Sequence, residues 1–320
     1  MKCLVVGGAG YIGSHMVKHL QDGGHTVVVA DNFSAGPRRP ALELDIADAE
    51  ALDALFAEHR FDAVFHFAAF IQVGESVSDP GKYYQNNLAA TLTLLQAMRR
   101  AGSNRLVFSS SAAVYGEPLY VPIDEAHPKA PINPYGRSKW MVEQVLEDFD
   151  RAYGLKSVSL RYFNAAGADP DGLLGECHEP ETHLLPLVLQ AASGRRAAIT
   201  VFGRDYDTPD GTCIRDYVHV ADLVRAHSQA LDYLLAGGAS GAFNLGNGQG
   251  FSVQQVIDAA RRVTGREIAT LDAPRRAGDP PRLVADASRA RAVLGWQPHY
   301  ASLEQILAHA WNWERKYPWR

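Results

Sequence analysis

The chain opens on a short apolar run, Lys2 to Val6. A cluster of glycines follows, then an amphipathic stretch from Ser14 to Asp22 and a second apolar run, His25 to Ala30, that stops at Asp31. Short unbroken apolar runs predict strands buried on both faces, and apolar residues spaced three and four apart predict a helix. The first thirty residues therefore read as a βαβ unit. The alternation continues with a strand over Ala41 to Ile46 that carries Asp45, a helix over Ala47 to His59 and a buried strand over Phe61 to Phe67. A long helix over Pro80 to Ala101 comes next, and a strand over Arg105 to Ser109 runs into Ser110 and Ser111. Between Asp31 and Ala41, Gly36, Pro37 and Pro40 leave no room for a full helix. Asn133 is a predicted N-cap with Pro134 at the first helical position, the helix reaches about Tyr153, and Lys156 to Arg161 form a strand. Strands and helices alternating at this spacing predict an α/β fold, a Rossmann-type doubly wound parallel sheet with ligands at the carboxyl ends of its strands.

Beyond Asn164 the pattern changes. Gly, Pro and acidic residues surround one short helix, Leu184 to Ser193, and Phe202 to Thr212 reads as irregular. We expect residues 1–164 to form the dinucleotide-binding domain and residues 165–320 a smaller mixed α/β substrate lobe. About 213–245 is expected to return to the first domain through a helix at Ala221 to Leu235. Helices over Ser252 to Thr264, Asp286 to Leu294 and Leu303 to Lys316 complete the prediction.

Composition narrows the function classes. A formal net charge of −5 over 320 residues gives no basis for a nucleic-acid or anionic-membrane partner. No apolar run reaches the ~18 residues of a membrane span. The first strand starts at Lys2, so no signal peptide is expected. Cys3, Cys177 and Cys213 are odd in number and lack CxxC spacing, which predicts reduced thiols and a cytoplasmic location. Neither Cys177 nor Cys213 has histidines at zinc-ligand spacing, and no metal is expected.

The glycine cluster carries the first chemistry. Gly8 is predicted at the tight turn, Gly10 where the backbone approaches a pyrophosphate, and Gly13 where helix packs on strand. The free amides of the helix N-terminus would face the anion. Asp31 stands where ribose hydroxyls need an acceptor and would repel a 2′-phosphate, pointing to NAD, although Arg38 and Arg39 nearby leave NADP open. Tyr135 and Lys139, four apart on one helix, share a face. A phenol normally has a pKa of about 10, and an adjacent ammonium together with a cationic nicotinamide would favour the phenolate. Ser111, at the end of an earlier strand, can bond the same substrate hydroxyl. A Tyr/Lys pair by itself is more often plain packing and solvation; behind a dinucleotide fingerprint it reads as catalytic.

Gly7-x-x-Gly10-x-x-Gly13, Ser111 and Tyr135-x-x-x-Lys139 resemble the extended short-chain dehydrogenase/reductase family, and within it the enzymes that epimerise UDP-sugars at C4. The match extends through Gly7 to His15, Val73 to Ser76, Tyr83 to Asn87, Ser109 to Gly116, Arg161 to Asn164, Arg215 to His219 and Ala273 to Asp279. The resemblance implies an isomerase that interconverts UDP-galactose and UDP-glucose through a 4-keto intermediate. Tyr135 would be the base, supported by Ser111 and Lys139, with tightly bound NAD as transient hydride acceptor. It implies NAD contacts at Gly7, Gly10, Tyr11, Ile12, Gly13, Asp31, Asn32, Asp45, Ile46, Phe67, Ala68, Ala69, Asn86, Lys139 and Phe163. UDP-sugar contacts are implied at Ser111, Tyr135, Asn164, Leu184, Phe202, Arg215, Arg276, Asp279 and Leu283, and a homodimer through the helices over Pro80 to Ala101 and Tyr135 to Tyr153. Chemically, Arg215 and Arg276 offer positive forks for a diphosphate and Phe202 a face for uracil.

Three positions depart from the family pattern. The Asp31 to Asp45 connection is short, Ile71 replaces a lysine, and Leu283 stands where strict UDP-glucose enzymes carry a bulky tyrosine. The last leaves UDP-N-acetylhexosamine or UDP-pentose epimerisation as alternatives, because one methylene-scale space discriminates by only ~1–3 kcal/mol. A 4,6-dehydratase would need an acid and a base after Ser111, where Ala112 and Ala113 stand. A catalytically silent NAD-sensing scaffold is the third alternative.

Overall fold

The computed structural model describes residues 1–178, 180–276 and 279–317. In chain order the elements are β1 (Lys2–Val6), α1 (Tyr11–Asp22), β2 (Thr26–Asp31), β3 (Leu42–Glu43), α2 (Ala49–Glu58), β4 (Ala63–His66), α3 (Val73–Ser78) and α4 (Pro80–Tyr83). They continue with α5 (Ala90–Ala101), β5 (Arg105–Ser109), α6 (Pro134–Tyr153), β6 (Lys156–Tyr162), β7 (Asn164–Ala166), α7 (Leu184–Ser193), β8 (Ile199–Phe202) and β9 (Ile214–His219). The chain ends with α8 (Val220–Leu235), β10 (Gly241–Leu245), β11 (Gly250–Ser252), α9 (Val253–Thr264), β12 (Thr270–Ala273), β13 (Arg282–Leu283) and α10 (Leu303–Lys316).

Seven strands form one sheet in the order β10-β6-β5-β4-β1-β2-β3, and every pairing in it is parallel. The strand order reverses at β1, between β2 and β4, so a crevice opens at the carboxyl ends of β1 and β4. The apolar runs are explained by cover on both faces. Cys3 and Val5 of β1 join one core with α1 and α8, while Leu4 and Val6 join a second with α2, α5 and α6. β4 divides likewise, Phe65 to the first core and Val64 to the second.

A second sheet runs β11-β9-β13, with β7 also on β9, and β8 pairs with β12. Around these, α7, α9 and α10 enclose a third core that includes Leu185, Val188, Ile257, Ile306 and Trp311. Only Phe163 separates β6 from β7, so the chain enters the smaller sheet already at Asn164. Within 213–245, β9 stays in the smaller sheet; α8 and β10 are the elements that join the large one.

Several expected elements change. The strand predicted over Ala41 to Ile46 shrinks to Leu42–Glu43. Asp45 and Ile46 lie in the turn beyond it, because the Asp45 carboxylate accepts from the Ala47 amide and its carbonyl from the Asp48 amide. The long helix over Pro80 to Ala101 contains a wider turn at Tyr84–Ala89, and α3 precedes it. The helix predicted from Asp286 starts at Ser288 and becomes a wide turn over Ala290–Leu294. The glycine roles also shift. Gly7, at φ +77, makes the tight turn, and a Cβ there would lie 2.5 Å from the Ala68 amide nitrogen. Gly8 instead lets β1 and β2 close up, since its Cβ would press on Val29. A Cβ on Gly13 would overlap the Gly7 carbonyl oxygen, a backbone atom that cannot turn aside. Gly13→Ala is therefore expected to cost at least ~2 kcal/mol, as overpacking against fixed atoms does, and to lower Tm by several degrees in thermal unfolding followed by circular dichroism.

Candidate active site

The site begins at the end of β5. Ser111 caps the short turn Ala112–Val114, its hydroxyl accepting from the Ala113 amide at 3.1 Å. Helix α6 starts beside this turn, where the Asn133 side chain accepts from the Gly136 amide at 2.8 Å and Pro134 occupies the first helical position. Gly136 decides how near the two come, because a Cβ there would overlap the Ala113 carbonyl oxygen. With no side chain in the way, Ser111 stands near enough to the Tyr135 hydroxyl to favour its phenolate.

Electrostatics at the pair differ from expectation. Burial raises the Tyr135 phenol above its ordinary value, and Ser111 works against that rise. Lys139 is buried too, which brings its ammonium down to about 7, partly offset by Glu143. Its Nζ donates to the Ser109 carbonyl at 2.8 Å and lies 4.9 Å from the centre of the Phe108 ring. Burial weakens the help expected from Lys139, because its amine donates to the Ser109 carbonyl and its charged form is disfavoured.

A buried network fixes α6 to the sheet. Arg161 of β6 binds Glu143 of α6 through Nε at 3.0 Å and through Nη2, with the two side chains 4% and 6% exposed. Ser110 donates to the same carboxylate, and Arg161 Nη1 donates to the Tyr115 hydroxyl at 2.9 Å. Asn87 makes a second tie: its side-chain amide donates to the Phe70 carbonyl and Ser138 hydroxyl, and its oxygen accepts from the Phe70 amide. Sequence reading placed Arg161, Asn87, Ser110 and Tyr115 in matching stretches but gave none of them, nor Glu143, a role. Buried polar side chains inside apolar periodic segments were the available signal.

The crevice between β1 and β4 fits a dinucleotide. Gly7 turns against Ala68, the Phe67 and Ala68 amides both donate to the Val6 carbonyl, and Ala69 follows at the crevice mouth. No side chain caps the first turn of α1, leaving the amides beyond Gly10 to face an anion. Asp31 accepts from the Ala9 amide at 2.9 Å and the Phe33 amide at 2.8 Å, which fixes its carboxylate at the crevice edge. The short connection is tied down by Asn32, which donates to Asp45 at 3.0 Å. Arg38 pairs with Glu43 and Arg39 donates to Ser14, so both cations are drawn to other partners and Asp31 keeps its preference for an unphosphorylated ribose. Ile12 packs into the first core, the Tyr11 hydroxyl donates to the Gly167 carbonyl at 2.7 Å, Ile46 is buried in the second core, and Phe67 stacks on His227. Asn86 donates to Asn87, and Ile71 is exposed.

The smaller sheet and the segments beside it carry the residues expected at the diphosphate and uracil. Arg215, on β9, pairs with Asp279 and donates to the Ile214 and Pro280 carbonyls, so its guanidinium is held before any ligand arrives. Arg276 lies 4.0 Å over the Phe202 ring, and Arg215, Asp279 and Arg276 all act on the Cys213 thiol. Leu283 is paired with Arg215 across β13 and β9 and packs with Phe163 on Val114, Tyr115 and Ile123, the first of which ends the turn capped by Ser111. Asn164 donates to the Asp216 carbonyl at 2.9 Å, and Leu184 starts α7. Residues 277 and 278 of the Ala273 to Asp279 stretch lie outside the described residues.

Comparison with known proteins gives a consistent picture. The model of the NAD dependent epimerase/dehydratase family matches residues 3–246. A UDP-glucose 4-epimerase of Rhizobium meliloti is 54% identical over 318 residues, covering 98% of this chain and 97% of that protein. The crystal structure of UDP-glucose 4-epimerase from Brucella ovis in complex with NAD superposes with a TM-score of 0.94 at 48% identity, over 97% of each chain. That of the Bifidobacterium longum enzyme with NAD+ and UDP superposes with a TM-score of 0.93 at 39% identity, over 99% of each. The chain belongs to the NAD dependent epimerase/dehydratase family.

Proposed function

We propose that this protein is an isomerase that interconverts UDP-galactose and UDP-glucose by inverting C4 through a 4-keto sugar. The observation that carries the reading is the close approach of the Ser111 turn to the start of α6, which sets Ser111 beside Tyr135 at the dinucleotide crevice. Two groups that can pass one proton are thereby held together at the carboxyl edge of the sheet. Bound NAD supplies a reversible hydride acceptor. Gly7, Gly10 and Gly13 let the backbone close on its pyrophosphate, and Asp31 takes the adenosine ribose. The Tyr135 phenolate removes the proton of the sugar 4-hydroxyl and becomes a phenol as C4 gives up its hydride, with Ser111 donating first to the phenolate and then to the substrate oxygen. Lys139 positions the nicotinamide side from its anchor on Ser109 and contributes charge according to pH. Arg215 and Arg276 hold the diphosphate, Phe202 and Leu184 the uracil, and Asn164 and Asp279 keep these groups in place.

Leu283 favours a second reading, a wider substrate range. It packs on the Ser111 turn and is smaller than a tyrosine, which leaves space for an N-acetyl group or tolerates a pentose. Relative turnover of UDP-galactose, UDP-N-acetylgalactosamine and UDP-arabinose, followed by NMR, decides how far that range extends.

We further infer a homodimer in the cytoplasm. Of the apolar residues on the two expected dimer helices, Leu94, Leu95, Val142 and Leu146 are buried in the chain's own core, whereas Leu92 and Met141 are exposed. All three cysteines are free, as a reducing compartment requires. No helix among the described residues is long and apolar enough to cross a membrane.

Three outcomes are expected. Tyr135→Phe should lower UDP-galactose turnover by at least ~10²-fold while circular dichroism and NAD content stay unchanged; full activity would remove Tyr135 as the base. Lys139 binds fewer protons folded than unfolded between about pH 7 and its ordinary value of 10.5. The wild-type Tm, measured against that of Lys139→Met, should therefore rise across that range. Sedimentation at micromolar concentration should give twice the chain mass, and a monomer would exclude the dimer.

A further inference from the structure

The loop between β7 and α7 gathers four metal-ligating side chains that the epimerisation does not use. Glu176, His178, Glu181 and His183 each offer one ligand atom, and these atoms lie within 4.8 Å of one another. We propose that they form a structural site for one divalent transition-metal cation, zinc foremost, which cross-links this loop to itself.

The distances suit the purpose. Donors around a tetrahedral zinc with ~2.0–2.1 Å bonds stand roughly 3.4 Å apart. His183 Nδ1 is 2.6 Å from Glu176 and 3.5 Å from Glu181, while His178 nitrogens are 3.1 Å from Glu176 and 3.6 Å from Glu181. Small rotations would admit an ion at the centre. The carboxylates are nearly buried, 6% and 7% exposed, and among the described residues their ion-pair partners are these two imidazoles, with no lysine or arginine. Two buried carboxylates call for positive charge, which one divalent cation held by neutral imidazoles would supply in place of two imidazolium ions.

The surroundings hold the ligands in place. The Trp313 indole donates to the Glu176 carbonyl at 2.9 Å, and Gly175 lies so close to that ring that a Cβ would overlap it. Glu181 accepts from the amides of Thr182 and His183 at 2.7 and 2.8 Å. Such fixing of the coordinating groups is what gives a metal site its affinity. Two imidazoles and two carboxylates close a tetrahedron without an open position, which makes the site structural. Magnesium and calcium prefer more numerous oxygen donors. The ends of the loop explain its use. Gly167 receives the Tyr11 hydroxyl, and His183 immediately precedes Leu184, so the ion would stiffen the chain between the dinucleotide crevice and the start of α7. The inference stands independently of the epimerase reading.

The test uses the full, tag-free chain, grown with added zinc and purified without chelator. About one zinc per chain is expected by plasma mass spectrometry. After stripping with EDTA, zinc chloride should raise Tm by at least ~3 °C and magnesium chloride should leave it unchanged. His178→Gln and Glu181→Gln should each retain at least ~10-fold less zinc. Metal below about 0.1 per chain with no Tm response would overturn the site in favour of two imidazolium–carboxylate pairs. Full zinc content in both variants would equally overturn it.

Discussion

The buried Arg161–Glu143 pair is the constraint on which the site depends. It joins the end of a central strand to the helix carrying Tyr135 and Lys139, and its carboxylate also takes the hydroxyl of Ser110, one residue before Ser111. A charge pair this deep carries a large desolvation cost, offset only while every partner is present. Strand, helix and turn are consequently held at one separation. Gly136 sets that separation at contact, by leaving nothing between α6 and the Ala113 carbonyl.

Around this joint the fold divides the work between two sheets. The parallel sheet puts backbone at the crevice: glycines that let strands and helix close up, and a helix start whose amides are unclaimed. The second lobe supplies side chains, with Arg215 preset by Asp279 and Arg276 resting on Phe202. Leu283 links the halves, paired with Arg215 at one side and packed on the Ser111 turn at the other.

Burial works against the proton chemistry when the protein is considered alone. The Tyr135 phenol is raised and the Lys139 ammonium lowered, each disfavouring its charged form. Ser111 is the neighbour that favours the phenolate. Charge in this pocket is thus left for the ligands to complete, and the protein's own contribution is position.

Much was legible from the sequence because it was written in local pattern. The apolar runs of β1, β4 and β5, the Asn133-Pro134 helix start and the glycine spacing all report short-range physics: periodicity, capping and backbone freedom. They were sufficient for the doubly wound sheet and for Tyr135, Lys139 and Ser111 at its carboxyl edge. The tertiary structure alone decided what depends on distance across the chain. It moved the tight turn from Gly8 to Gly7 through the approach of Ala68, and turned Lys139 toward Ser109 through burial. It also brought Glu176, His178, Glu181 and His183 to one point. A sequence states which groups are present and how neighbours along it are spaced; desolvation and ligand convergence are set by atoms far away in the chain, and exist only once it has folded.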